Sequence, residues 1–267
     1  MPSPPVPSAM DDLSFTKCLL KSQPEAFRAA TQSPFLRAGA EGTLDKETLG
    51  RWLSNDRLYI HAYIRGIGKV LSSLDLPANV EGPDEPPSRG ERMLNWVVDA
   101  LVNIRREEGF FRDTAAKYGI NLEMDCDQRG KAFADAKIEG LRRFETLFDS
   151  IGTEPTISPP WIDPAVIFWG TEKCYLTAWN WSKAQLDPSK SGSDDADGGA
   201  LRNDFIANWT SPEFESFVDE LGRLIDDVVA EQIKISGAKV VQDLVKYFEE
   251  RWLELLKAEE KFWPEVK

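Results

Sequence analysis

The chain has 267 residues, 42% of them hydrophobic and 29% charged, and a net charge of −13 at pH 7, which suits a soluble globular protein with a sizeable core. Phosphate backbones and anionic membrane surfaces attract an excess of Lys and Arg, so this charge argues against nucleic acid and membranes as partners and against a transcriptional role. No apolar run approaches the roughly 18 residues of a membrane span, and the N-terminal MPSPPVPSAMDD lacks the basic-then-apolar order of a secretory leader, so a cytoplasmic location is expected.

Residues 1–12 are rich in Pro and Ser and are expected to be disordered, leaving one helical domain over 13–267. A helix is expected from about Ser14 to Ala30, then a loop from Gly39 to Thr43. Asp45 is placed to cap a long helix reaching about Leu74, with Glu47 in its first turn. Pro and Gly in 77–90 end it. Apolar spacing predicts helices at about 91–118 and 129–150, the second burying Phe133, Ile138, Leu141, Phe144 and Leu147. A proline-rich joint, Pro155 to Pro164, leads to a helix over about Asp163 to Leu186. The run DPSKSGSDDADGGA, about 187–200, has the composition of a mobile exposed loop. Ser211-Pro212 starts the next helix, with Ser as cap and Pro at its first position, and a final helix runs from about Ala238 to Trp263. No sustained apolar/polar alternation occurs, so the fold class is all-α, one multi-helix bundle.

Three of the stripes carry an acid where a core residue belongs. The first reads Leu49, Trp52, Leu53, Asp56, Tyr59, Tyr63, Ile67, Val70; the second Val166, Trp169, Glu172, Tyr175, Leu176, Trp179. The third runs Leu244, Val245, Phe248, Trp252, Leu255, Leu256, Glu259, Phe262, Trp263. Offsets of three, four and seven place each set on one helix face. A buried carboxylate costs several kcal/mol unless it is paired, hydrogen-bonded or protonated, so such positions attract either a structural partner or a function. Arg57, Lys173 and Arg251 are the candidate structural partners.

Much chemistry is excluded. With His61 as the single histidine, three-histidine zinc sites and paired Glu-x-x-His di-iron sites cannot form, and no metal or cofactor is expected. One axial haem ligand at His61 remains the variant that would support an oxidase. Cys18, Cys126 and Cys174 form no CxxC spacing and are read as reduced thiols. Gly66-Ile-Gly68-Lys69 lies inside a helical pattern and is read as close helix packing rather than a phosphate loop.

The phrase FLRAGAEGTLDKETLGRWLSNDRLYIHAY, with Asp56, Tyr59 and Tyr63 as D-x-x-Y-x-x-x-Y, resembles the start of the TenA, or thiaminase II, family, and EEKFW, with Glu259, Phe262 and Trp263, resembles its closing E-x-x-F-W. The resemblance implies a haem-oxygenase-like helical fold, hydrolysis of thiamin or its aminopyrimidine breakdown products in thiamin salvage, and a homo-oligomer. The family's larger branch has a nucleophilic cysteine four residues before a tyrosine; Thr171, four before Tyr175, stands there in this chain. Glu172, beside it, resembles the branch in which a glutamate replaces that cysteine. Trp209 and Phe144 or Phe148 fall where other family tyrosines are expected. The expected catalytic residues are thus Asp56 for the ring, Glu172 for water activation or nucleophilic attack, and Glu259 for proton delivery. Tyr59, Tyr63, Tyr175, Trp209, Trp179 and Phe35 are expected to bind the pyrimidine. Cys174 is the rival nucleophile, read as a core cysteine. A non-catalytic binding protein of the same fold is the alternative.

Overall fold

The computed structural model describes residues 14–79, 86–152 and 158–266, and the side chains among them except those of 236–244. The expected N-terminal disorder, parts of the two proline-rich breaks and Leu244 of the third stripe lie outside the described residues. Helices carry the chain, and among the described residues the one trace of strand pairing is an isolated bridge between Cys126 and Ala132.

Proline and short polar side chains punctuate the first third. The expected helix over Ser14–Ala30 is two, α1 (Phe15–Ser22) and α2 (Pro24–Thr31). Pro24 lacks the N–H that would continue α1 and drives Gln23 out of the helical region, to φ −132° and ψ 62°. The segment read as leading into a loop is helical as α3 (Pro34–Glu41): Ser33 accepts the Leu36 N–H, and the helix ends on Gly42 at φ 79°. Asp45 caps α4 (Lys46–Ser72) through the Thr48 N–H. A reciprocal Ser88–Glu91 capping box starts α5 (Arg89–Tyr118).

The helix expected from 129 begins only at Glu139, as α6 (Glu139–Ser150). Before it, Asp127 Oδ1 accepts the N–H groups of Arg129 and Lys131, a side-chain turn that competes with helix. Phe133 is consequently exposed rather than buried. Helix α7 (Ile162–Ala184) is buried all round its first ten residues, as expected of a central helix. A π-helical turn (Leu201–Phe205) leads into the short α8 (Ile206–Trp209). The two helices expected after Ser211 are one, α9 (Pro212–Glu260), with Ser211 accepting the Phe214 N–H.

The run 187–200 folds against the rest of the molecule through its acids. Asp195 pairs with Arg202 at 2.7 Å, both side chains under 8% exposed, and Arg202 also donates to the Ala40 carbonyl. Asp197 accepts the N–H groups of Gly199 and Leu201, which sets the entry to the π-helical turn and so the placement of Trp209.

Helix α7 packs on α9, α2, α3 and α8, while α4 packs on α5 and α6, and α6 on α9. Helices α4 and α7 meet through large side chains: Tyr63 lies edge-on to Phe168 at 4.7 Å, and Trp52 contacts Tyr175, Trp179 and Trp209. One core cluster joins all of these helices. Gly66 is packed as expected, since a Cβ there would meet Phe168, Phe148 and Ile151, whereas Gly68 faces open space. Rings hold α4 and α7 apart, and the acids line the space left among the helices.

Candidate active site

An inner cavity between α4, α5, α6, α7 and α9 is lined by Asp56, Tyr59, Glu107, Phe144, Thr171, Glu172, Tyr175, Glu259 and Phe262, with a volume of about 30 Å3. That is room for roughly one or two water-sized groups. An outer cavity of about 250 Å3 adjoins it, with Arg106, Asn208, Trp209 and Phe214 among its walls. Ile104, Glu107, Glu172 and Tyr175 border both and form the partition between them.

The three acids of the sequence stripes therefore share one wall. Asp56 and Glu259 are buried at 3% exposure, whereas Glu172 is part-exposed at the junction. Tyr63 donates to Glu172 Oε1 at 2.7 Å. Tyr175 donates to Asp56 Oδ2 at 3.3 Å. The Glu259 carboxyl takes no hydrogen bond among the described residues, while its backbone carbonyl accepts the Phe262 N–H. The candidate cations are engaged elsewhere: Arg57 with Glu108, Lys173 with Asp219 and Arg251 with Asp163.

Burial without a countercharge raises these carboxyls. Glu172 is pushed up to about 8 by burial and by Glu107, against the Tyr63 hydrogen bond that lowers it. Asp56 is raised well above the ordinary carboxyl range by burial, then by Glu107 and Glu172. Glu259 is raised likewise by burial, then by Asp56 and Glu172. The site holds protons near neutrality that exposed carboxyls would have lost, the condition for carboxyls to act as acids and bases there.

Glu107 is the acid that the sequence reading missed. Its Oε1 accepts the Trp209 indole N–H at 2.7 Å, and burial pushes its carboxyl up to about 7 while Trp209 and Arg106 pull it down. The signal was present: extending the α5 stripe of Val97 and Ile104 by three residues reaches Glu107, one turn before Phe111.

The expected substrate-binding residues divide. Tyr59 and Tyr175 line the inner cavity and Trp209 the outer one. Tyr63 stands behind Glu172. Phe35 and Trp179 are fully buried and line neither cavity; Phe35 packs on Trp52 and Trp263, Trp179 on Trp209 at 4.3 Å. Cys174 is 1% exposed and its thiol is raised by burial, which removes the thiolate a nucleophile needs. His61 lies 3.3 Å from Glu108 in a cluster with Arg57 and Arg105, and lines neither cavity. No group of three or more His, Cys, Asp or Glu among the described residues has metal-binding proximity.

No family model matches the chain. Among named proteins it is 21% identical over 178 residues, 60% of this chain and 73% of the relative, to a probable bifunctional TENA-E protein of Glycine max. It is 23% identical over 252 residues to a probable transcription factor of Fusarium pseudograminearum, covering 84% of this chain but spanning only 47% of that relative. A TenA homologue from Pyrococcus furiosus superposes with a TM-score of 0.65 at 20% identity, over 93% of this chain and 98% of that one. The TenA homologue of P. horikoshii OT3 gives 0.63 at 16% identity, over 94% and 99%. The chain therefore has the all-α fold of the TenA homologues.

Proposed function

We propose that this chain belongs with the glutamate-type TenA proteins and is a hydrolase of thiamin-derived aminopyrimidines. The observation that carries the reading is the convergence of Asp56, Glu172 and Glu259, raised carboxyls from three helices, on one cavity whose junction to the outer cavity bears Glu172. The TENA-E relative and the TenA fold support it.

A 4-aminopyrimidine presents an amidine edge that one carboxyl can bind in two places, and Asp56, held by Tyr175, is assigned to it. The ring is larger than the inner cavity, so binding requires side chains at the junction to spread. Glu172 activates water, or attacks, at the arm on the ring; its raised basicity suits proton abstraction near neutral pH. Glu259 delivers the proton to the leaving nitrogen. In deamination the water oxygen ends on the arm carbon and ammonia departs; in amide hydrolysis the oxygen ends on the acyl carbon and the arm keeps its amine. Tyr59 and Phe144 border the ring's place, and Tyr63 holds Glu172 in position.

The test is an assay of wild type and Glu172→Gln on thiamin and on aminopyrimidines with free and N-formylated aminomethyl arms, following ammonia and formate. Turnover by wild type and a loss of about 100-fold or more in the variant are expected. An unaltered rate in Glu172→Gln would remove the assignment. Tight binding with no product would instead support the non-catalytic carrier.

A further inference from the structure

Taken together, the two cavities are lopsided in charge. Asp56, Glu107, Glu172 and Glu259 line them as buried or half-buried acids and Glu213 as an exposed one, and Arg106 is the one basic side chain on their walls. A site that gathers acids in a desolvated space is set against anions, because each added acid raises the cost of ionising the others. A bound cation reverses that cost. The two acids at the junction, Glu107 and Glu172, sit where an arm leaving the ring passes from the inner to the outer cavity. Of these, Glu172 already receives Tyr63, whereas Glu107 is oriented by the Trp209 N–H on Oε1 and has no hydrogen bond on its second oxygen among the described residues.

We propose that Glu107 is a specificity residue that reads the charge of the arm, selecting an aminopyrimidine with a protonated aminomethyl group over one whose arm is neutral. The assignment rests on the aminopyrimidine reading of the site and names the charge state of the substrate that site prefers. The geometry favours recognition rather than bond-making, because Glu107 is anchored by the indole of Trp209 in the outer cavity, whereas Asp56 and Glu259 line the inner cavity alone. Trp209 serves Glu107 by fixing its rotamer, so the carboxylate meets the arm without first losing side-chain freedom. A neutral hydroxymethyl or N-formyl arm leaves that carboxylate in the cavity without a countercharge, which is the asymmetry that makes a buried polar group discriminate against a ligand lacking its partner.

Equilibrium binding tests this without turnover. Calorimetry at pH 8 compares 4-amino-5-aminomethyl-2-methylpyrimidine, whose arm is cationic, with its 5-hydroxymethyl counterpart of nearly equal size, on wild type, Glu107→Gln and Glu107→Asp. Wild type is expected to bind the amine about tenfold or more tightly than the alcohol, as a charge-assisted contact in a partly buried site allows. Glu107→Gln should lose that preference while binding the alcohol at least as tightly as wild type does. Glu107→Asp, which keeps the charge at shorter reach, should retain a reduced preference. A preference that survives in Glu107→Gln, or an equal loss for both compounds, overturns the assignment to Glu107. Wild type binding both compounds without preference also overturns it and leaves the aminopyrimidine reading standing. Wild type binding neither overturns both.

Discussion

Replacing Glu172 by Gln should stabilise the protein as the pH rises, because the native state holds a carboxyl that resists ionisation. Its carboxyl lies at about 8 in the folded chain against 4.5 for an exposed glutamate. The folded state therefore binds more protons than the unfolded state between those values, and stability falls as pH rises through the window. The contribution is fully present below about 4.5 and is lost by about 8. At 1.36 kcal/mol per unit, the penalty grows by about 4 kcal/mol between pH 5 and pH 9. Glu172 faces a cavity that opens to solvent, and screening there cuts the figure to about 2 kcal/mol. Gln keeps an oxygen for Tyr63 and cannot ionise, so its own packing effect is the same at both pH values and cancels in the comparison. Urea unfolding of wild type and variant at the two pH values should show the variant gaining about 2 kcal/mol relative to wild type on going from pH 5 to pH 9, equivalent to about 4–8 °C in Tm. A difference between the two proteins that does not change with pH, or that moves the other way, would refute the claim that Glu172 is held protonated by its surroundings.

Glu107 raises Glu172, so Glu107→Gln should move the limb of kcat/KM that rises with pH, measured on a neutral-arm substrate, to lower pH; a limb that stays in place denies the coupling. Gly140 donates to the Lys261 carbonyl at 3.0 Å, and a Cβ on it would overlap the Lys261–Phe262 backbone. Gly140→Ala should accordingly cost about 1–3 kcal/mol in chemical denaturation and weaken activity through Phe262. Breaking the buried Asp195–Arg202 pair with Arg202→Met should cost about 3–5 kcal/mol, with part regained in the Asp195→Asn/Arg202→Met double variant; full stability in the single variant would show that the acidic run does not anchor the turn before Trp209.

Helices with strong apolar periodicity were legible in the sequence: Asp45 caps α4 and Ser211 caps α9 as expected, and α5 starts at Arg89, two residues before the expected 91, behind a Ser88 cap that the apolar spacing does not reveal. The errors fell where local signals conflict. Pro24 reads as a tolerable interruption but divides a helix, and Asp127 forms a turn that a run of apolar residues had suggested was helical. The separate final helices merged because no residue between them blocks continuation. In the site, acids interrupting apolar stripes identified Asp56, Glu172 and Glu259 because period alone carries that information. Glu107 escaped because its stripe was followed only as far as Ile104. Phe35 and Trp179 sit one layer behind the cavity because a stripe states which face a side chain occupies, and a ring packed behind the lining shares that face with the lining itself.

The indole of Trp209 gives the site an optical signature. It is the one tryptophan of nine in the chain that borders the outer cavity, its ring lies tilted against Trp179, and its N–H ends on a carboxyl that burial pushes up to about 7. Indole emission responds to charge placed against its N–H, so fluorescence should shift with pH around 7 and again when a guest enters. The shift should vanish in Trp209→Phe, which leaves the other eight rings in place. Ligands could then be screened by the light the protein already emits, before any reaction has been identified.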